Sequence, residues 1–171
     1  MSRGLSFLFG VVTTIVVLIA GTILFVKAGG FPMATSAPPL PFEATLAHMA
    51  LDASIGDAAA QKNPLPMNES NLLAGAQVFK EHCAGCHGMP GNPPTSMSKE
   101  MFPPPPQLFA PDEMVTDDPE GETFWKVTNG IRLSGMPGFG STLPENQRWQ
   151  VTMLVAHADK LPPPVKSALS R

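Results

Sequence analysis

Between Leu5 and Val26 the chain runs 22 residues, LSFLFGVVTTIVVLIAGTILFV, without a charged side chain, and Arg3 and Lys27 close the run on either side. As a helix rising about 1.5 Å per residue it reaches roughly 33 Å, enough to cross a hydrocarbon layer of about 30 Å. A cleaved leader has a shorter apolar stretch, typically about 7 to 15 residues, ahead of a small-residue site. Here only Ala34-Thr35-Ser36 offers one, and weakly. Residues 1–27 are therefore read as a retained single-pass transmembrane anchor. The amino terminus and Arg3 outweigh Lys27, which places the amino terminus in the cytoplasm and the rest of the chain outside.

The pattern then changes twice. Residues 28–70 read as a Pro- and Ala-rich linker that carries one short amphipathic helix, because Phe42, Leu46, Met49 and Ala53 recur every three or four positions. Packing on the following domain is the default use of such a face, with a membrane surface or a partner as alternatives. Residues 71–171 read as one compact domain. Leu72, Leu73, Ala76 and Phe79 share a face of its first helix, with Asn71 as the cap. Phe124, Trp125 and Val127 lie in a second helix, bracketed by Asp118-Pro119 and Gly130. Trp149, Met153, Leu154 and Val155 supply the buried side of a third, from about Pro144 to Lys160. About thirty proline-dense residues separate the first two, including Pro103 to Pro106. So long an irregular stretch inside a compact domain predicts that something other than protein is wrapped there.

Composition narrows the classes. Hydrophobic residues make up 43% and charged residues 15%, too apolar for a wholly disordered chain. Twenty prolines and fifteen glycines predict helices joined by long loops, with little room for a large sheet. Eleven Lys and Arg against fourteen Asp and Glu give a net charge of −3, the wrong sign for neutralising phosphates, so no nucleic-acid partner is expected. Two cysteines are too few for a disulfide scaffold, and both fall in one motif.

That motif, Cys83-Ala84-Gly85-Cys86-His87, has the spacing of c-type haem attachment. Two thiols so placed add to the two haem vinyl groups as thioethers, and the His that follows presents its imidazole to the iron. A thiol–disulfide motif would need a thioredoxin-like βαβ context. Structural zinc would need four ligands, and His48 and His157 are remote. One covalent haem c, with its iron, is the expected cofactor. Of ten methionines, Met33 and Met49 precede the domain, Met89 follows His87 too closely to reach the opposite face, and Met153 sits among helix core positions. Met136 lies 49 residues beyond His87 in Gly135-Met136-Pro137-Gly138-Phe139, where glycine lets the backbone approach the porphyrin and proline stiffens the turn. It is the expected second axial ligand, with Met97, Met101 and Met114 open as alternatives. Cys83, Cys86, His87 and Met136 are thus the expected cofactor-binding residues, and His87 and Met136 the metal ligands. His48, His82 and His157 receive no role. Asp112, Glu113, Asp117, Asp118, Glu120 and Glu122 form an acidic segment, read first as solvated loop and helix-start acids and second as a docking patch for a basic partner.

Over roughly residues 71–161 these features resemble monohaem class I c-type cytochromes with an amino-terminal membrane anchor. The resemblance rests on Gly75 and Phe79 ahead of Cys83-Ala84-Gly85-Cys86-His87-Gly88, on Asn129-Gly130-Ile131, on Gly135-Met136-Pro137 and on Trp149. It implies a mainly α fold, a few helices and long loops wrapped around one haem behind a single transmembrane helix. It also implies that the first and last domain helices cross at Gly75, Phe79 and Trp149, and that one of Pro103 to Pro106 offers its carbonyl to His87. The aromatic usual later in the last helix is absent, with His157 near its place. The implied function is a membrane-tethered electron carrier, not an enzyme. It would pass single electrons between respiratory or photosynthetic partners on the periplasmic side of a bacterial inner membrane. A fixed subunit of a larger redox complex, or a haem sensor or peroxidase with a displaceable Met ligand, are the alternatives.

Overall fold

The computed structural model describes residues 2–170; Met1 and Arg171, the outermost positions of the expected anchor and domain, lie outside the description. Helix α1 spans Arg3–Lys27, capped by the Ser2 side chain, which accepts the Leu5 N–H at 3.4 Å. Thr14 and Thr22 return their hydroxyls to the Gly10 and Leu18 carbonyls at 3.0 and 2.9 Å. Internal pairing of this kind is what a helix in apolar surroundings requires of its few polar side chains. No α1 residue is buried, and the helix is long and apolar enough to cross a membrane. The chain divides into two compact units between Pro41 and Phe42, so the second unit starts well before the residue 71 expected from the pattern.

That second unit opens with α2, Glu43–Ile55. The default expectation for its apolar face is not met: Leu46 is 63% and Met49 62% exposed, and within α2 only Ile55 is buried. After α2 and a 3₁₀ turn, Gly56–Ala60, come α3 (Glu69–His82), the single turns α4 (Ala84–His87) and α5 (Ser96–Lys99), then α6 (Glu120–Asn129), α7 (Glu145–Ala156) and α8 (Pro163–Leu169). Among the described residues there is no strand, only an isolated bridge between Ile131 and Met136. The fold is mainly helical, as expected.

One hydrophobic cluster holds the unit together. It draws Leu72, Ala76, Val78 and Phe79 from α3, Val151 and Met153 to Val155 from α7, and Val165 and Leu169 from α8. Full burial of such side chains contributes about 1.5–3 kcal/mol each. Helices α3 and α7 meet at Gly75, where a Cβ would strike the Gln150 carbonyl, so the two backbones touch. Phe79 makes its edge contact with Phe109, at 5.0 Å and 82°, while Trp149 stacks flat on Phe124 at 3.7 Å and 7°.

Several boundaries differ from the sequence reading. Helix α3 begins at Glu69, and its cap is Asn68, whose side chain accepts the Asn71 N–H at 2.9 Å. Asn71 instead reaches the Pro66 carbonyl at 2.8 Å and accepts from Gln150 Nε2 at 3.0 Å, tying α3 to α7. Helix α6 matches its bracket, with Pro119 before it and Gly130, at φ +70°, after it. Helix α7 stops at Ala156, and a 3₁₀ turn at Ala158–Lys160 completes the run. Helix α8 was not among the elements expected from the pattern. Pro163 sits in its first turn, where the missing N–H has no partner to lose.

The segment between α2 and α3 is a strap. A Cβ on Gly121 would lie 2.5, 2.6 and 2.8 Å from the carbonyls of Ala58, Ala59 and Gln61, so the strap runs directly over the start of α6. Asn63 Nδ2 then donates to the Trp149 carbonyl at 3.3 Å, and Leu65 packs against the core.

Candidate functional site

Helix α3 delivers the motif. Cys83 caps its C-terminus, donating its N–H to the Phe79 carbonyl at 2.9 Å. The Cys83 carbonyl in turn accepts from Cys86 and His87 at 3.1 and 2.9 Å, winding residues 84–87 into the single turn α4. Gly88, at φ +70°, ends that turn where a Cβ would strike the Gln107 side chain. Both thiols are free and half-buried, and Cys83 packs against the hydrophobic cluster. Burial first, and the neighbouring Cys86 second, push the Cys83 thiol up to about 12. A thiol so raised is protonated at neutral pH, the opposite of what a disulfide-exchange cysteine needs. Among the described residues no three His, Cys, Asp or Glu side chains converge as a metal cluster would require, which removes the zinc alternative.

The proline-rich loop orients His87. Nδ1 lies 2.8 Å from the Pro106 carbonyl, the last of the four prolines expected to supply it. Facing a carbonyl, Nδ1 carries the proton and donates, so Nε2 keeps its lone pair. Burial holds the His87 pKa below its ordinary value, outweighing the opposite push of the Pro106 bond, and keeps the imidazole neutral. The loop is pinned in turn: the Gln107 N–H donates to a Glu113 carboxylate oxygen, and Gln107 Nε2 to the Pro105 carbonyl at 3.3 Å. On the other side of the motif, Thr95 Oγ1 donates to the Gly85 carbonyl at 2.8 Å, and the Met97 sulfur lies 3.8 Å from Cys86 Sγ.

Met136 sits in a turn closed by the Ile131 N–H donating to its carbonyl at 3.1 Å and by its own N–H donating to Ser134 Oγ at 3.3 Å. Phe139 and Gly140 pair with Val127 and Thr128 at 2.9 Å each, fixing the turn to α6. Met136 is half-buried against the same cluster that Cys83 packs on. A cavity of about 560 Å³ borders His87, Met89 and Phe109, and Met136 is not among its walls. Cys83, Cys86 and His87 are thus gathered on one turn, and Met136 lies on a separate loop packed against the same core.

The remaining candidates fall elsewhere. His82 stacks edge-on against Phe139 at 6.0 Å, and His157 turns its Nδ1 to the Met153 carbonyl at 2.9 Å. Four of the six acids face partners within their own unit: Asp118 and Glu122 with Lys126 at 3.6 and 2.6 Å, Glu120 with His157 at 3.8 Å, and Glu113 with Gln107. That is the arrangement of structural acids rather than of a patch presented to a basic partner. The role of Glu113 was not visible in the sequence, since nothing in a run of acids marks which one reaches back to the proline loop.

The donor set fits a c-type haem: two free thiols on one turn, an imidazole whose Nδ1 is engaged by the Pro106 carbonyl, and a thioether on a stiffened loop. No curated protein matches the chain. Residues 70–153, from the start of α3 to near the end of α7, match the family model described as "Cytochrome C oxidase, cbb3-type, subunit III", which makes this stretch a c-type cytochrome domain that binds haem covalently and the chain a haem-binding electron-transfer cytochrome with one N-terminal apolar helix.

Proposed function

We propose that this chain is a membrane-tethered carrier of single electrons, with one haem linked to Cys83 and Cys86 and ligated by His87 and Met136. The observation that carries this reading is the Pro106 carbonyl 2.8 Å from His87 Nδ1, which leaves the lone pair on Nε2, on the same turn as both thiols. When bound, a c-type haem supplies a one-electron ferrous/ferric couple. Cys83 and Cys86 would hold the group at the end of α3, and His87, its ring orientation set by Pro106, would supply an imidazole ligand to its iron. Met136 would supply a neutral sulfur ligand, which favours the ferrous state and raises the potential. Its turn, fastened to α6, keeps the sulfur in place, so little in the protein has to rearrange between oxidation states.

Helix α1 supports a membrane anchor by its length and lack of charge, and the amino terminus with Arg3 against Lys27 supports a periplasmic domain. Tethering raises the effective concentration of a carrier near membrane-bound redox donors and acceptors. A second reading, a fixed subunit of an oxidase, is favoured by the family description, which names such a subunit. Native electrophoresis in mild detergent separates the two: a carrier migrates alone, a subunit with its complex.

Ligation is tested by Met136→Ala. The variant should lose the weak far-red sulfur-to-iron band of the oxidised protein and fall in potential. Retention of the band would move the ligand role to Met97, Met101 or Met114.

A further inference from the structure

One peptide group carries two of the site's hydrogen bonds. The Pro106 carbonyl accepts from His87 Nδ1 at 2.8 Å, and the N–H of the same Pro106–Gln107 peptide donates to the Glu113 carboxylate. The chain therefore runs imidazole, peptide, carboxylate. A carboxylate on the N–H side of a peptide draws electron density toward its oxygen, and hydrogen bonds in series strengthen one another. A stronger acceptor at Nδ1–H gives the imidazole more anionic character and makes Nε2 a better donor, as carboxylate partners do for metal-bound histidines elsewhere.

We propose that Glu113 is a positioning and tuning residue for His87, acting through the Pro106–Gln107 peptide to lower the reduction potential set by His87 and Met136. The proposal rests on His87 being an axial ligand. Its sign follows from the charge: a more basic imidazole, like a nearby negative charge, favours ferric iron. Glu113 is exposed, so part of its influence is screened by solvent and salt.

Three variants of the full-length haem protein test this, with the potential measured by spectroelectrochemistry at low and high salt. Glu113→Gln keeps an oxygen to accept the Gln107 N–H and removes the charge. Glu113→Ala removes both. Asp112→Asn removes the neighbouring charge without touching the peptide. The potential should rise in Glu113→Gln and in Glu113→Ala, by clearly more than in Asp112→Asn, and the excess should persist at high salt because it travels through bonds rather than solvent. A Glu113→Gln potential equal to wild type, or a shift no larger than that of Asp112→Asn, overturns the proposal, since Glu113 then only holds the loop or acts as one surface charge among several. Failure of Glu113→Gln to assemble haem overturns it in the same way. The far-red band and low-spin spectrum should be unchanged in all three variants, and their absence in wild type would count against His87 and Met136 as ligands instead.

Discussion

Gly135 is where the Met136 turn depends most on a missing side chain. Its φ is +80°, and a Cβ there would lie 2.8 Å from the Met101 Cε. The left-handed conformation alone costs an L-residue roughly 1–2 kcal/mol, and Met101 must also give way. Gly135→Ala should therefore lower unfolding free energy by about that much and weaken the far-red band. An unchanged stability and an unchanged band would mean that the Met136 loop is not held as described. At this scale the sequence was informative where chemistry is local. Cys83, Cys86 and His87 are legible because three adjacent donor types have few other uses, and Met136 because glycine and proline mark its turn. Glu113 and the choice of Pro106 among four prolines depend on how a loop folds back over some twenty residues, which no local pattern encodes.

Among the elements, the strap from Gly56 to Leu65 distinguishes this unit from the stretch matched by the family, which begins at residue 70. Its carbonyls lie so close to Gly121 that an added methyl has no room. Gly121→Ala should destabilise the domain by about 1–3 kcal/mol, the usual range for overpacking. Chemical denaturation measures this, and a neutral result would mean that the strap lifts away readily. Helix α6 was readable because its stop and start signals, Pro119 and Gly130, are its own neighbours. The strap was not, since Asn63 finds the Trp149 carbonyl 86 residues away and a Pro- and Ala-rich composition resembles a free linker. Helix α8 was hidden by three prolines, although Val165 and Leu169, four apart and both buried, carried the helical spacing that marks it. The apolar positions of α2 had the right period but stay exposed, and only its last residue, Ile55, is buried.

In the molecule as a whole, residues 28–41 link an apolar helix of 25 residues to the haem domain. If α1 is retained, alkaline carbonate should leave the protein in the membrane fraction, because moving so much apolar surface into water is unfavourable at about 25 cal/mol per Å². Protease added from the periplasmic side should then digest the haem domain without opening the cytoplasm. Protection of the domain until the cytoplasm is opened would reverse the orientation.

The most direct test of a tethered carrier with covalent haem is the mass of the denatured, acid-acetone-treated protein isolated from its native membrane. A mass equal to the 18.1 kDa polypeptide plus one haem is the predicted result, reporting the thioether links at Cys83 and Cys86 and the retained anchor together. A polypeptide mass without haem, or a chain beginning near Ala37, would contradict the account.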